Sequence, residues 1–304
     1  MKLVNTKKML SDARKNNYAI GAYNIFNLET IKGVISAVKE MNVPVILQAS
    51  ESAVSYAGAK NLVNIIQNEI SNITTPVALH LDHGKNLDII KECIQAGFTS
   101  VMIDASNETY ENNIELTKKV VSFAHKHNVT VEAELGELKG VEDNVSSDTA
   151  HLTNPTQAID FIKKTKVDSL AVSIGTAHGI NKGLTAPKIH FEILDELEQL
   201  LPSDFPLVCH GASSVDDSLQ SLYISSGGVL TNAQGTNLED LHKMATTTPI
   251  SKINVDTDLR LVFTGSLRNS LNLRPETFNP RTHLKEVMQA IKNRVILTST
   301  KIFK

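Results

Sequence analysis

Eight short runs of nearly continuous apolar residues recur along the chain, at 19–23, 44–48, 76–81, 100–103, 130–133, 169–174, 206–209 and 252–255. Val, Ile, Leu and Ala dominate them, as in strands covered by protein on both faces. Amphipathic helical patterns fill the gaps. Leu62, Ile65, Ile66 and Ile70 follow the second run at helical spacing, and Leu87, Ile90, Cys93 and Ile94 follow the third, between an N-cap at Asn86 and a stop at Gly97. Asn154-Pro155 opens a helix carrying Ile159 and Ile162, and a stripe from Ile193 to Leu201 stops at Pro202. Strand and helix alternating in this way predict an α/β fold, a (β/α)8 or TIM barrel. The expected organisation is a single domain over 1–304, with the barrel at about 19–275 and a helical C-terminal extension at about 276–304 that starts at Asn279-Pro280-Arg281.

Composition narrows the function classes. Apolar residues make up 41 % and charged residues 21 % of the 304, with a formal net charge of -3, and no basic run suggests nucleic acid. The first ten residues lack the apolar core of a signal peptide, and no stretch approaches the ~18–20 apolar residues of a membrane span. Cys93 and Cys209 fall in a helix and a strand and read as buried thiols, which fits a reducing cytoplasm.

A barrel of this kind carries its chemistry at the C-terminal ends of its strands. Those tips present Asn24, Ser50, Asp82 with His83, Asp104, Glu134, the 175–179 turn with His178, His210 with Gly211, and Asn254 with Asp256. Nearly all are polar. A lone histidine beside a glycine is ordinarily a satisfied polar residue. His83, His178 and His210 are three such residues on independent tips, and convergence makes them a metal site with an open position. Glu134 reads as a fourth or alternating ligand, with Glu132 behind it to orient it. Cys209 should face away from His210. Asp82 is placed to move a proton from a bound hydroxyl, or else to orient a ligating histidine, a supporting role for which His80 is the better candidate.

A second constellation is glycine-rich. Gly179, Lys182 and Gly183, then Gly211, Ala212 and Ser213, then Asn254, Asp256 and Thr257 occupy the quarter of a barrel that usually binds phosphate. The connection at 136–153 is acidic and reads as a mobile lid carrying Glu142. Arg260 and Arg281 are either phosphate ligands or surface ion pairs. Lys252, the lysine within the predicted strands, starts the eighth run away from the active end, which disfavours imine chemistry.

Taken together, His80-Leu81-Asp82-His83-Gly84, Glu132-Ala133-Glu134-Leu135-Gly136, Gly175-Thr176-Ala177-His178-Gly179, His210-Gly211-Ala212-Ser213-Ser214 and the run from Lys252 to Arg260 resemble the class II, metal-dependent fructose-1,6-bisphosphate aldolases. The resemblance runs in order from about Asn24 to Arg281. It implies reversible cleavage of fructose 1,6-bisphosphate to dihydroxyacetone phosphate and glyceraldehyde 3-phosphate, within glycolysis and gluconeogenesis in the cytoplasm. It implies Zn2+ on His83, His178 and His210, with Glu134 as alternative ligand and Asp104 at a second metal position. Asp82 would handle the C4 hydroxyl proton, and Glu142 would be the lid's acid/base. Gly179, Lys182, Gly211, Ser213, Asp256 and Thr257 match the C1-phosphate pocket, while Asn24 and Ser50 line the cavity and Asn254 orients the enediolate. Arg260 and Arg281 match the grip on the distal phosphate, at least one reaching across from a neighbouring copy in a homodimer or homotetramer. A monovalent cation, Na+ or K+, often assists phosphate binding in this family.

Three positions depart from the family's common pattern. Asn279 stands where many relatives have aspartate, Asn181 replaces a common tyrosine, and the His-Gly-Ala-Ser form also occurs in the tagatose-1,6-bisphosphate branch. The 227–248 insertion and the run after Asp256 favour the fructose type. A TIM-barrel zinc hydrolase would need a His-x-His pair where the first strand has Asn24. A non-catalytic binding protein would leave Asp82 and Glu142 unexplained.

Overall fold

The eight runs pair with their sequence neighbours as parallel strands, and the first closes on the eighth. The barrel strands are Ile20–Asn24, Val45–Ser50, Val77–Gly84, Ser100–Ile103, Thr130–Leu135, Ser169–Val172, Leu207–Cys209 and Ile250–Val255. This computed structural model describes residues 2–142, 145–147, 151–180, 187–231 and 233–303, without the side chains of 139, 141, 142 and 145–147.

Strand alternation divides each strand between two environments. Val77, Leu79 and Leu81 pack outward into the large core beneath the helices, whereas Ala78 joins Ile20, Ala22 and Ile46 inside the barrel. That inner cluster is closed by Met9, Leu10 and Ala13 of a helix, Thr6–Lys15, which the alternating strand and helix pattern does not anticipate. Burying Leu10 against it stabilises the plug by about 1.5–3 kcal/mol. With the N-terminal mouth filled, the interior opens toward the strand tips.

Several strands run further than the sequence suggests. The third extends through Asp82 to Gly84, and the fifth through Glu134 to Leu135, because the barrel ladder continues where side-chain polarity changes. Ser50 still pairs with Asp82. The sixth instead stops at Val172, where Thr153 intervenes: its hydroxyl accepts from Ser173 N at 2.7 Å and its own N–H donates to Ser173 O at 2.9 Å. The eighth begins at Ile250, so Lys252 is its third residue and not its first.

The 136–153 connection contains two short strands, Lys139–Glu142 and Val145–Ser147. The first also pairs in parallel with Ala177–His178, making a small three-stranded sheet over the active end. The final helix, Pro280–Ile302, starts with Asn279 accepting from Arg281 N and packs along the helix Leu28–Met41.

Candidate active site

Asp82 and His83 are adjacent, and a regular strand would send them to opposite faces. His83 instead adopts φ +49, and the pairing register with the fourth strand shifts between Leu81 and Gly84. This left-handed residue, a conformation costing about 1–3 kcal/mol, swings the imidazole back to the cavity that Asp82 faces.

There the three histidines converge. His83, His178 and His210 are all buried, with one donor nitrogen from each lying within 4.8 Å of the others. His178 is placed by its backbone, which pairs in the small sheet opposite Gly140. His210 is oriented from below, where its Nε2 donates to Glu132 Oε1 at 2.8 Å and Glu132 Oε2 is ion-paired with Lys252 Nζ at 2.9 Å. With Nε2 protonated, the His210 Nδ1 lone pair faces inward, 2.8 Å from His83 Nε2.

The electrostatics follow from burial and neighbours. Burial alone opposes charging His83, but Asp82, Asp104 and Glu134 outweigh it and raise its pKa to about 10. Burial holds His210 well below the ordinary histidine range, and the charge on His83 pushes the same way. Burial and Lys252 do the same to His80, whose Nδ1 is 2.8 Å from Ser100 Oγ.

Asp82 is clamped by amides from three other strands. Its Oδ2 accepts from Asn24 Nδ2 at 2.9 Å and Gln48 Nε2 at 3.1 Å, and its Oδ1 accepts from Asn254 Nδ2 at 3.2 Å. On the other side of His83, Nδ1 contacts Asp104 Oδ2 at 2.9 Å, while Asp104 Oδ1 accepts from Ser106 N and Oγ. Glu134 Oε2 lies 3.9 Å from His83 Nδ1 and, among the described residues, accepts no hydrogen bond. Burial, with Asp104 beside it, raises the Glu134 pKa well above the ordinary range. His83, Asp104 and Glu134 form a second potential ligand set sharing one imidazole.

The donor chemistry fits a divalent cation: three neutralisable imidazoles, one already locked in a ligating tautomer, with an unbonded carboxylate oxygen nearby. Glu132→Gln is expected to weaken metal affinity by about 10–100-fold, since Gln cannot both accept from His210 and neutralise Lys252. Metal content after dialysis against graded chelator checks this, and unchanged retention would confine Glu132 to pairing with Lys252.

Asn24, Ser50 and Arg260 line one cavity of about 530 Å³, together with Phe26, Tyr56 and Phe263. Asp256 holds Arg260 Nε at 2.8 Å, and Thr257 begins the following helix. Gly211, at φ +63, turns the chain directly after His210; a side chain there would run into Ala177, with a β-carbon 2.6 Å from its carbonyl oxygen. Gly179 and Ser213 lie on neighbouring tips, half-buried and buried respectively. Arg281 does not join this cavity; it lines a separate recess with Arg274, Asn279 and Lys285. Asn181, Lys182 and Gly183, and the Glu142 side chain, lie outside the described residues.

Three sequence expectations change. Glu132 serves His210 and not Glu134. Lys252 is not remote from the active end in effect, because its ammonium sits one contact from a candidate ligand. His80 bonds Ser100 Oγ through Nδ1 and not a ligating histidine, and its Nε2 stands 3.7 Å from Glu132 Oε2, too far for a hydrogen bond. Gln48 was missed, although a glutamine inside the apolar run Val45–Ser50 is the signal that could have found it.

The sequence model described as "Fructose-bisphosphate aldolase class-II" matches residues 4–303. The fructose-bisphosphate aldolase of Helicobacter pylori is 41% identical, over 96% of this chain and 95% of its own length. That of Thermus caldophilus is 43% identical, over 95% and 94%. Among solved structures, the YdjI aldolase of Escherichia coli K12 superposes with a TM-score of 0.77 at 29% identity, covering 99% of this chain and 97% of that one. The Campylobacter jejuni fructose-bisphosphate aldolase, at 22% identity and a TM-score of 0.78, covers 99% of this chain and 95% of its own and bears on the fold alone. With the family matched from end to end, on a barrel whose tips gather its chemistry, the chain belongs to the class II fructose-bisphosphate aldolases.

Proposed function

We propose that this protein is a zinc-dependent lyase that reversibly cleaves fructose 1,6-bisphosphate to dihydroxyacetone phosphate and glyceraldehyde 3-phosphate. The observation that carries the reading is the placement of Asp82, clamped by Asn24, Gln48 and Asn254, beside the three-histidine donor set. Zinc held by His83, His178 and His210 would supply a Lewis acid for the ketose carbonyl.

Asp82 takes the C4 hydroxyl proton as the C3–C4 bond breaks, and the C4 carbon leaves as the aldehyde of glyceraldehyde 3-phosphate. The electron pair of that bond passes to the C2–C3 fragment as an enediolate, which Asn254 orients. Glu142, on the lid, donates the proton that completes dihydroxyacetone phosphate at C3. The amides around Asp82 fix the direction of its oxygens, so that positioning is settled before the substrate arrives. Gly179, Lys182, Gly211, Ser213, Asp256 and Thr257 hold the C1 phosphate, with Na+ or K+ assisting, and Arg260 holds the distal one. Asp104 and Glu134 offer the metal a second position on the far side of His83.

Arg281 completes the distal site of a neighbouring copy in a homodimer or homotetramer. Its place in a recess separate from the Arg260 cavity and the 97% exposure of nearby Phe278 support that assignment. No helix among the described residues is long and apolar enough to cross a membrane, and the two buried free thiols support a cytoplasmic location.

The C4 epimer tests the substrate. Asn279 accepts from both the N–H and Nε of Arg281, keeping the capping role an aspartate would have. The ratio of kcat/KM for fructose over tagatose bisphosphate should therefore exceed about tenfold, a discrimination of about 1.4 kcal/mol. A ratio below one would assign the protein to the tagatose branch.

A further inference from the structure

Arg294 lies on the C-terminal helix, far in sequence from the strand tips, yet it is 6% exposed and meets two carboxylates and a hydroxyl. Its Nη1 donates to Asp216 Oδ2 at 2.5 Å. Its Nη2 donates to Asp258 Oδ2 at 2.6 Å and to Ser214 Oγ at 2.7 Å. Asp258, itself 1% exposed, passes this constraint on. Asp258 Oδ1 accepts from Val215 N at 2.9 Å, and Oδ2 accepts from Ser214 N at 3.2 Å and Ser214 Oγ at 3.1 Å.

The segment so held is the turn that follows His210. Val215 adopts φ +44, a left-handed conformation that β-branched residues avoid, so the turn does not keep this shape by local preference. It is fixed from the other side too. Thr236 donates from N to Ser213 O and from Oγ1 to Gly211 O, both at 3.0 Å. Gly235 approaches so closely that a β-carbon would lie 1.8 Å from Ser214 O. A carboxylate as buried as Asp258 needs a partner charge, and the planar fork of Arg294 supplies it while touching Ser214 directly.

We propose that Arg294 is a positioning residue for the C1-phosphate pocket, acting through Asp258 to hold the 211–215 turn, with its strained Val215, in its binding-competent shape. This rests on the assignment of Gly211 and Ser213 to that pocket.

Condensation kinetics of the zinc-loaded protein test it, because dihydroxyacetone phosphate brings only the C1 phosphate. Arg294→Met and Asp258→Asn should each raise KM for dihydroxyacetone phosphate about tenfold or more, as sub-ångström misplacement of a positioning group does. KM for glyceraldehyde 3-phosphate should stay within about twofold, with zinc content unchanged, because the distal site is built from other residues. Arg294→Lys keeps the charge without the fork and should fall between. A merely structural ion pair would lower the thermal midpoint and leave both KM values alone, and that result overturns the proposal. Loss of zinc, or a parallel rise in both KM values, overturns it as well.

Ser213→Ala separates this inference from its premise. If it leaves KM for dihydroxyacetone phosphate unchanged, the pocket assignment itself fails. If it raises that KM while the Arg294 and Asp258 variants do not, the pocket stands and the role of Arg294 falls. Should Arg294→Met not fold, the nearly isosteric Asp258→Asn decides by the same readouts.

Discussion

Asp82→Ala is expected to lower kcat for fructose 1,6-bisphosphate by about 10³-fold, within the roughly 10²–10⁴ range of a general acid or base. Zinc content should stay at the wild-type level. The separation is expected because Asp82 is bonded to the amides of Asn24, Gln48 and Asn254, and its geometry does not depend on the histidines. Removing it takes the carboxylate acceptor from Asn24 and Asn254, while Gln48 keeps its bond to Asn24 Oδ1 at 2.6 Å, at a stability cost of about 1–3 kcal/mol. A lowered thermal midpoint with intact metal and near-zero turnover would match. Asp82→Asn sharpens the test by keeping the shape while losing the basic oxygen. If either variant empties the metal site, Asp82 is a metal-orienting residue and the proton belongs to another group.

The barrel is legible in the chain because each strand buries both faces, so its signal is a plain apolar run that needs no partner to be recognised. The histidines are legible for a related reason. Each stands at the end of such a run and before a glycine, and barrel closure does the rest. What is hidden depends on backbone conformation or on contacts across the barrel. No pattern announces that His83 takes φ +49 and so shares a cavity with Asp82. The Glu132–Lys252 pair joins strands 120 residues apart. Gln48 and Lys252 do leave a trace, as polar residues inside apolar strands, but polarity alone does not say which group each one satisfies. The helix Thr6–Lys15 is hidden differently: its apolar stripe fits any core, and only the closed barrel shows that it plugs the N-terminal mouth.

Chelation of the metal is expected to lower turnover by about 10⁴-fold or more, or about 5.5 kcal/mol at roughly 1.36 kcal/mol per tenfold, and zinc should restore it. The alternative route through a lysine imine is disfavoured, since the Lys252 ammonium is 1% exposed and paired with Glu132. Activity that survives the chelator and dies with borohydride plus substrate would overturn the zinc assignment. Thermal stability should fall with the metal, since saturation at about 1,000 times the dissociation constant contributes about 4 kcal/mol. The pH dependence has a definite sign. Without metal His83 carries a proton up to a pKa of about 10, and that proton must leave before the ring can ligate. Apparent zinc affinity should therefore rise by up to about tenfold per pH unit below that value, with proton release visible by calorimetry in buffers of different ionisation enthalpy. Affinity that stays flat between about pH 6 and about pH 9 would mean that His83 is neutral before the metal binds.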